Sequence, residues 1–578
     1  MNSRINAVPF HLFTRTLTTN PPTTSNTPTP TPKPRHSVVI GGGFVGLSTA
    51  LHLQQIGRKV TLLESAPSIG GESSCSYGNA GTMARYANIP VNSPAVFRKL
   101  PGLLFDEEAP LSMVSLFGNV GMFWKMMPWA GLFAWNCRRS AVEHTAQSLG
   151  ALLSHAETGW EPAFRQAGID IDGTVNGSDG TGQPQPWKVR NGYLLLQRTP
   201  QDMQSSQYSA NLRQRYIRDL NMVALTSDEV LELEPTLDPE RCQGGAWYFP
   251  DAWSITDPGA LLKALADGFE RGGGTVRTHS RVVEIQSLPN QSPWGDAMAV
   301  RLSALLDVQL AQAKGLEASN GNQPQANETS ADSGGVCAVL EDGTSIPADE
   351  IIIAAGAHSA HLVSHSMDEF CPLDTERGYS ISFDVNDTTD NTTTESSDTC
   401  GAIRNGISRA VCDPSAGWIA SPMAGGTLRV AGKVELGGID APPTPARFDQ
   451  LEREARALFT KTGAATLLPP RNKAKDWLGF RPTMPDALPV ICASRDYPTA
   501  VFYAFGHQHI GFTLGGITGQ LVAELVQRNG TDAAQTQSKQ QQQQPLLDLS
   551  PYRLDRFHPF GEKDGQLTPK FSTLTHDP

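Results

Sequence analysis

The sequence predicts an α/β plus α+β protein, in which a parallel-sheet domain built from discontinuous segments carries an inserted antiparallel-sheet domain. The chain has 578 residues, more than the roughly 250 to 300 that one hydrophobic core accommodates. Short apolar runs beside glycines are typical of parallel strands buried on both faces: HSVVIGGG, KVTLLE and EIIIAAG. Other runs alternate and are rich in aromatic residues, as antiparallel strands are: GGAWYFPDAW, RNGYLLLQR, GYSISFDV and GTLRVAGKV.

Charge and cysteine content exclude several classes of protein. Lysine plus arginine number 46 and aspartate plus glutamate 58, so the net charge is −12. This charge repels phosphate backbones and no basic cluster offsets it, so we expect no nucleic-acid partner. The eight cysteines are scattered without a C-x-x-C pair, which predicts neither a disulfide framework nor a zinc site.

The first 35 residues have the composition of a targeting leader. They contain basic but no acidic residues, and Ser, Thr and Pro fill most of the remainder. This composition resembles an organelle transit peptide, so we expect a disordered leader over residues 1–35 and a mitochondrial or other organelle location. The alternative is a cytoplasmic protein whose leader is merely disordered.

The apolar runs are too short for a transmembrane helix, which needs roughly 18 to 20 residues. The nearest run starts at Met113 and is broken by Lys125 and Pro128. We expect this segment to pack in the core, with peripheral membrane contact as the alternative.

Changes in composition divide the globular sequence into alternating pieces. We expect the nucleotide-binding domain to comprise residues 36–110, 251–365 and 476–527. The substrate or cap domain is expected to comprise residues 111–250 and 366–475. Polar insertions at 313–335 and 384–400 contain too few apolar residues to form a core. Residues 528–578 are predicted to be a low-complexity tail and a C-terminal segment.

A glycine-rich turn between a strand and a helix predicts dinucleotide binding. Residues 38–40 lead into Gly41, Gly43 and Gly46, which complete a G-x-G-x-x-G pattern. Such glycines allow a tight bend, a close approach to a pyrophosphate and close packing of the helix on the strand. The next strand ends on Glu64, near the spacing of about 20 residues expected of a carboxylate that accepts a ribose 2′-hydroxyl. The pattern predicts a Rossmann-like domain, but it does not distinguish FAD from NAD.

Four later passages carry a family resemblance. They are SSCSYGNAGTMARY, SRVVEI, EIIIAAGAHS, and WLGFRPTMPDALPVI followed by VFYAFGHQHIGFTLGGITGQLVAELV. On these motifs the chain resembles the D-amino-acid oxidase superfamily of flavoenzymes, and within it the D-amino-acid dehydrogenases, from about residue 36 to 527. The resemblance implies an FAD-binding domain with an inserted antiparallel-sheet substrate domain.

The resemblance also implies where FAD binds. Residues 506–513 would pass over the pyrimidine end of the flavin, and the helix after them would point its N-terminus at the ring, where the helix dipole stabilises negative charge. The cofactor-binding residues implied are Gly41, Gly43, Phe44, Val45, Gly46, Glu64, Ser65, Ser74, Asn79, Ala80, Gly81, Val282, Gly356, Gly506, Ile510, Gly511 and Thr513.

Arginine and tyrosine side chains are the candidates for binding an amino-acid substrate. A guanidinium donates two parallel hydrogen bonds to a carboxylate, and Arg481 matches the arginine that relatives place over the flavin. Its alternative is a structural ion pair with Asp486 or Asp476. Tyr379 is expected to hydrogen-bond the substrate, with a core aromatic as the alternative, and Arg377 beside it is a weaker candidate.

Two histidines lie in the predicted flavin loop. His507 is expected beside the flavin ring, where its charge state would tune hydride transfer, and the alternative is a structural role. A metal site formed with His509 would need a third ligand and an acid that the sequence does not supply, so we expect no metal.

The resemblance therefore implies FAD-dependent oxidative deamination of a small amino acid, with a D-amino acid as the first choice of substrate. A hydride would pass from Cα to flavin N5, giving a 2-oxo acid and ammonia, with a quinone, another acceptor or oxygen taking the electrons. One alternative is an oxidase of glycine, sarcosine, proline or hydroxyproline. The others are a non-catalytic flavin-binding protein and an NAD-dependent dehydrogenase.

Overall fold

The computed structural model describes the chain in several stretches. These are residues 34–94, 111–112, 120–171, 174–176, 184–288, 335–385, 406–460, 468–529, 545–557, 560–563 and 566–569. Most of the predicted leader and of the insertions at 313–335 and 384–400 lies outside the described residues. Internal contacts separate Met1–Pro34 from Arg35–Pro578, and the fold below is that of the second unit.

Helices and strands alternate along the described stretches. The helices are α1 (Phe44–Gln55), α2 (Val120–Trp135), α3 (Arg139–Leu153), α4 (Ala156–Ala167), α5 (Pro200–Tyr216), α6 (Ser227–Leu233), α7 (Pro258–Arg271), α8 (Ser359–Ser366), α9 (Pro445–Ala457) and α10 (Gly511–Asn529). The strands are β1 (His36–Ile40), β2 (Lys59–Leu63), β3 (Leu111–Ser112), β4 (Thr174–Asn176), β5 (Pro184–Pro186), β6 (Lys188–Val189), β7 (Tyr193–Leu196), β8 (Val223–Leu225), β9 (Ala246–Phe249), β10 (Ser254–Ile255), β11 (Thr275–Arg277), β12 (Val282–Ser287), β13 (Val336–Leu340), β14 (Ser345–Ala348), β15 (Glu350–Ile353), β16 (Asp374–Asp384), β17 (Ala410–Asp413), β18 (Trp418–Met423), β19 (Thr427–Leu436), β20 (Lys475–Thr483), β21 (Val490–Ala493), β22 (Val501–Phe505), β23 (Phe560–Lys563) and β24 (Gln566–Pro569).

A mainly parallel sheet forms the centre of the first domain, as predicted. Its strand order is β11-β2-β1-β15-β22-β21, and only β21 runs antiparallel to its neighbour. Both faces are covered, which explains the continuous apolar runs. Val39 packs in a core with α1, α4, α7 and α10, whereas Val38 packs in a core with β12, β13, β14 and α8.

A larger sheet forms the second domain. Its order is β20-β16-β19-β18-β17-β7-β9-β8, with β3 also beside β19. Most neighbours are antiparallel as predicted, but β17 pairs with β7, and β3 with β19, in parallel. The two parallel pairs join strands from the two separated cap segments, which meet without a hairpin between them.

Two elements pack with a different domain from the one to which the predicted boundaries assigned them. β20 pairs with β16 from Lys475 to Thr483, so it belongs to the larger sheet although the boundary at 475/476 assigned it to the nucleotide-binding domain. α4 lies inside the predicted cap segment, yet it packs on α10 of the first domain, with Trp160 against Phe512. Periodicity predicts that such elements exist, but it does not identify their partners.

Helix α2 buries one side and exposes the other. Met126, Trp129 and Phe133 are buried, consistent with the predicted core packing. Trp124 is 67% exposed and Trp135 43% exposed. Among the described helices, none is both long enough and apolar enough to cross a membrane.

The segment that follows the glutamine run packs against the core. Residues 540–544 lie outside the described stretches, but Tyr552 and Leu554 are buried, at 1% and 3% exposure. The predicted low-complexity tail therefore contains a short segment, residues 545–557, that is part of the fold.

Candidate functional site

The glycine turn lies at the carboxyl edge of the parallel sheet. Gly41 has a φ of +111°, and a Cβ there would overlap the carbonyl oxygen of Ala354, just after β15. A Cβ at Gly46 would overlap the carbonyl oxygen of Gly41. The helix therefore begins directly against the strand, and its first amides are left at the edge where nucleotides bind in such sheets.

The carboxylate of Glu64 closes this turn from β2. Its Oε2 accepts the Gly42 N–H at 2.8 Å, and its Oε1 accepts the Ala66 N–H at 2.8 Å and the Ser65 hydroxyl at 3.2 Å. An ionised carboxylate has about four acceptor positions, so Glu64 retains capacity for a ribose hydroxyl. Gly43 caps α1 beside Ser76, while the Phe44 ring packs 4.9 Å from Phe512 in the core.

Two other predicted cofactor positions lie near the same edge. Gly356 follows β15 with a φ of +55°, and a Cβ there would meet no other group within 4 Å. Val282 begins β12 and is partly buried against the core that contains Val38. These placements agree with a cofactor at this edge, while the residue assignments themselves stay predictions.

Two residues of the larger sheet, neither of them predicted as a site residue, hydrogen-bond the segment that contains Asn79, Ala80 and Gly81. Arg429 of β19 donates from Nη1 to the carbonyl oxygens of Tyr77 and Asn79, at 3.0 and 3.1 Å. Trp477 of β20 donates from Nε1 to the carbonyl oxygen of Glu72 at 2.8 Å. Arg429 occupies an ordinary polar position of the alternating strand β19 and Trp477 an aromatic position of β20, so the sequence pattern does not single them out.

Hydrogen bonds within this segment hold its shape. Asn79 accepts the Gly81 N–H on Oδ1 and donates from Nδ2 to the Ser76 carbonyl oxygen, each at 2.6 Å. The Ser74 hydroxyl accepts the Ser76 N–H at 3.2 Å. Thr513, in the first turn of α10, accepts the Ala84 N–H at 3.0 Å. The segment predicted to lie near the flavin is thereby brought beside the predicted flavin loop.

The loop from Gly506 to α10 turns its two histidines in opposite directions. The buried His507 bonds the Thr518 hydroxyl through Nε2 at 2.8 Å, and burial lowers its pKa to about 3. Gln508 has a left-handed φ of +49°, and after it the side chain of His509 is exposed. The structure thus supports a structural role for His507, which was the alternative to the predicted position beside the flavin ring.

His509 is exposed and lies near Arg481. Its side chain is solvent-accessible, yet desolvation by the surrounding protein lowers its pKa to about 4, and the positive charge of Arg481 lowers it further. His509, considered in the sequence only as a metal ligand, is therefore the loop histidine available to a ligand.

Arg481 does not form either of the structural ion pairs considered from the sequence. Asp486 pairs with Arg556, and Asp476 with Arg471. The Arg481 guanidinium donates to the carbonyl oxygens of Lys433 at 2.8 Å and Gly432 at 3.4 Å. Burial lowers its pKa and the buried Glu376 opposes that shift, so Arg481 keeps a charge that a substrate carboxylate can neutralise.

The structure corrects the predictions for Tyr379 and Arg377. The Tyr379 hydroxyl donates to the Glu435 carboxylate and accepts the Thr444 N–H at 3.2 Å, while its ring packs 5.0 Å from Phe448. Arg377 is fully buried and donates to the carbonyl oxygens of Ala441 and Pro442. Alternation along β16 turns both side chains away from the sheet face that carries Arg481.

The donor set fits a dinucleotide with a flavin end. The glycine turn and Glu64 suit a pyrophosphate and a ribose, and the open space at Gly356 leaves room beside the strands. The loop of residues 506–510, the start of α10 and Arg481 lie together because the Gln508 N–H donates to the Pro482 carbonyl oxygen at 2.8 Å. One continuous site can thus hold a cofactor and present a cation beside it.

Comparisons with known proteins agree with this geometry. A family model described as FAD dependent oxidoreductase (DAO) matches residues 36–304 and 304–525. A D-amino-acid oxidase from Bradyrhizobium diazoefficiens is 29% identical over 525 residues, which are 90% of this chain and 99% of that protein. A D-amino acid dehydrogenase 2 from Ralstonia nicotianae is 27% identical, with the same two coverages of 90% and 99%.

Solved structures share the fold at lower identity. Glycine oxidase from Geobacillus kaustophilus has a TM-score of 0.56 at 18% identity, covering 90% of this chain and 99% of that one. L-proline dehydrogenase from P. horikoshii has a TM-score of 0.52 at 14% identity, covering 87% and 95%.

Proposed function

Because the chain belongs to the DAO family of FAD-dependent oxidoreductases, we propose that it oxidatively deaminates a small amino acid and prefers D-amino acids. The observation that carries this proposal is Arg481, a half-buried guanidinium bonded to carbonyl oxygens beside the flavin loop. The curated relatives named for D-amino-acid oxidation support the choice of substrate class.

The residues of the chain would bind and orient the substrate. Arg481 would hold the carboxylate by parallel hydrogen bonds. His509 is neutral at pH 7 because its pKa is about 4, so it offers a hydrogen bond without a second positive charge beside the amine. Bound FAD supplies the acceptor for the hydride that leaves Cα, and water then hydrolyses the imine to a 2-oxo acid and ammonia.

The electron acceptor is proposed to be a quinone or another redox partner, with oxygen as the alternative. The exposed side of α2 supports contact with a membrane surface where a quinone would be met. Trp124, Met127 and Trp135 are exposed, and the Arg138 guanidinium carbon lies 3.6 Å from the Trp135 ring centroid. Aromatic and basic side chains together suit a lipid interface. Co-sedimentation with anionic vesicles, lost in a Trp124→Ser/Trp135→Ser variant, would support this contact.

We also propose that residues 1–35 direct the protein to an organelle, with the mitochondrion as first choice. The absence of acidic residues from a leader rich in Ser, Thr and Pro supports this. A fluorescent protein fused to residues 1–35 should co-localise with a mitochondrial marker, and a diffuse signal would contradict the proposal.

Anaerobic absorbance spectroscopy tests the reaction. Protein lacking residues 1–35 should be yellow, and its flavin bands should bleach on adding D-alanine or D-proline. L-proline, sarcosine and glycine serve as comparisons, because bleaching by these alone would favour the alternative oxidase. Admitting air then separates an oxidase, which regains its colour at once, from a dehydrogenase. A protein that does not bleach with any of them would refute the proposal.

A further inference from the structure

A short segment near the C-terminus contacts the turn that follows β20, and this turn contacts the flavin loop. The segment, residues 545–557, lies beyond the glutamine run, and we call it the C-terminal clasp. Its Tyr552 hydroxyl donates to the Ser148 carbonyl oxygen at 2.6 Å, and Leu554 is buried. These contacts dock the clasp on the core independently of the ion pair described next.

Arg556 of the clasp forms a two-pronged ion pair with Asp486. Its Nε donates to Oδ2 at 2.7 Å and its Nη2 to Oδ1 at 3.1 Å, and Nη2 also donates to the Leu488 carbonyl oxygen at 2.7 Å. Both side chains are largely buried, at 14% and 12% exposure. Such planar pairing fixes orientation as well as distance. Arg556 therefore immobilises the turn of residues 484–488, which directly follows the strand of Arg481.

The turn held by Arg556 contains a strained residue. Ala487 has a φ of +64°, a left-handed conformation that alanine adopts at a cost, and it is buried. Such a conformation persists only where its surroundings impose it. The Thr145 hydroxyl, bonded to the Asp486 carbonyl oxygen at 3.1 Å, is a second restraint on the same turn.

The strained turn contacts the flavin loop directly. The Ala487 carbonyl oxygen accepts a hydrogen bond from the side-chain amide of Gln508, whose own φ is +49°. Gln508 is also held by its N–H on the Pro482 carbonyl oxygen, and it directly precedes His509. A series of contacts thus runs from Arg556 through Asp486 and Ala487 to Gln508.

We propose that Arg556 is a positioning residue for substrate binding, acting through Asp486, Ala487 and Gln508 to hold His509 beside Arg481. The predicted effect on kcat/KM rests on the proposed function, whereas the predicted effect on the conformation of the flavin loop does not. The C-terminal clasp is then required for the reaction although it does not touch the substrate.

Matched substitutions separate positioning from stability. Arg556→Met should lower kcat/KM for the amino-acid substrate by about tenfold to a hundredfold, mainly through KM, since small displacements of binding groups have effects of this size. Arg553→Met is the control, because Arg553 lies in the same clasp and pairs locally with Asp555. Equal losses in the two variants would overturn the proposal.

A second pair of variants tests the strained turn. Ala487→Gly removes the cost of the left-handed conformation, so in the Arg556→Met background it should restore most of the lost kcat/KM. Asp219→Gly relieves a similar φ of +52° elsewhere and should restore stability without restoring KM. Rescue by both glycines alike would show that Arg556 contributes only stability.

Hydrogen exchange provides a readout that does not need turnover. In the FAD-loaded protein, Arg556→Met should accelerate amide exchange in residues 506–510, whereas Arg553→Met should leave it unchanged. Unchanged exchange in Arg556→Met would overturn the positioning role. If accelerated exchange is seen but no amino acid is oxidised even by the wild type, the proposed function fails and the positioning role stands.

Discussion

At the scale of single residues, environment rather than residue type decides which groups meet a substrate. His507 and His509 are two positions apart, but one bonds Thr518 in the core and the other is exposed near Arg481. Burial lowers the pKa of His507 to about 3, and desolvation together with the charge of Arg481 lowers that of His509 to about 4, so both imidazoles are neutral at pH 7. Among these three side chains, Arg481 is consequently the one that is positively charged at pH 7.

The guanidinium of Arg481 should not be replaceable by an ammonium. Arg481→Lys keeps the charge but loses the two parallel donors, so we expect kcat/KM to fall by about a hundredfold, mostly through KM. Steady-state kinetics with the best amino acid from the bleaching test measure this. Arg471→Lys, at an ion pair with Asp476 near the other end of the same strand, should retain nearly full activity.

Burial of neutral His507 should make folding sensitive to acid. The pKa of His507 is about 3 in the folded protein, whereas the ordinary value is 6.5. Between these two pH values the imidazole is protonated in the unfolded chain but neutral in the folded chain. The contribution of His507 to the free energy of unfolding is therefore full above pH 6.5 and declines as the pH falls from 6.5 towards 3. His507→Gln should therefore lose less stability than the wild type between about pH 7.5 and pH 5 in urea unfolding. His144→Gln, at an exposed position, should behave as the wild type does.

At the scale of elements, helices α1, α4 and α10 pack closely because glycines lie where they cross. A Cβ at Gly516 would lie 2.5 Å from the Trp160 amide nitrogen, and one at Gly519 would lie 2.6 Å from the Ser48 hydroxyl oxygen. The start of α10, which the site requires beside the flavin loop, depends on this approach. In the larger sheet, successive side chains of a strand alternate between the two faces. Arg481 and Trp477 therefore lie on one face and Tyr379 on the other.

Adding one methyl group at this crossing should disrupt the fold. Gly516→Ala forces α4 and α10 apart, and we expect it to destabilise the protein by about 1 to 3 kcal/mol despite the higher helix propensity of alanine. Thermal unfolding measures the loss. Gly131→Ala in α2 is the matched control, because nothing lies within 4 Å of a Cβ there, and it should be neutral or slightly stabilising. Equal behaviour of the two variants would contradict the packing argument.

At the scale of the whole molecule, the site is assembled from distant parts of the chain. The glycine turn is near residue 41, the anchoring arginine of the Asn-Ala-Gly segment is Arg429, and the flavin loop begins at Gly506. The C-terminal clasp then packs against the turn that follows β20. A cofactor that contacts several of these parts would stabilise the fold as a whole.

Free FAD should therefore raise the thermal midpoint of the apoprotein. At about one hundred times its Kd, binding adds about 2.7 kcal/mol to the free energy of unfolding. FMN, which lacks the adenosine that Glu64 is placed to recognise, should stabilise less. Glu64→Gln should weaken the effect of FAD, whereas Glu143→Gln, at an exposed carboxylate that bonds Tyr208, should not.

The local features of the site could be predicted from the sequence. The turn of Gly41 to Gly46 and the carboxylate of Glu64 belong to one strand-helix-strand unit, so their geometry follows from neighbouring residues. The apolar runs likewise predicted the parallel sheet, since a strand covered on both faces must be apolar throughout.

The larger-scale arrangement could not be predicted in this way. Tyr379 is a core residue, and Arg429 and Trp477 are anchors, because of which strands pair and which face each strand turns inward. The orientation of His509 depends on left-handed backbone at Gln508, and the role of Arg556 depends on Asp486, far away in the chain. By itself, then, the sequence determined dinucleotide binding and the nucleotide turn, because these reside in contiguous residues. Only the tertiary structure decided which of the candidate side chains are buried in the core and which stay accessible, because that depends on pairing between segments separated by hundreds of residues.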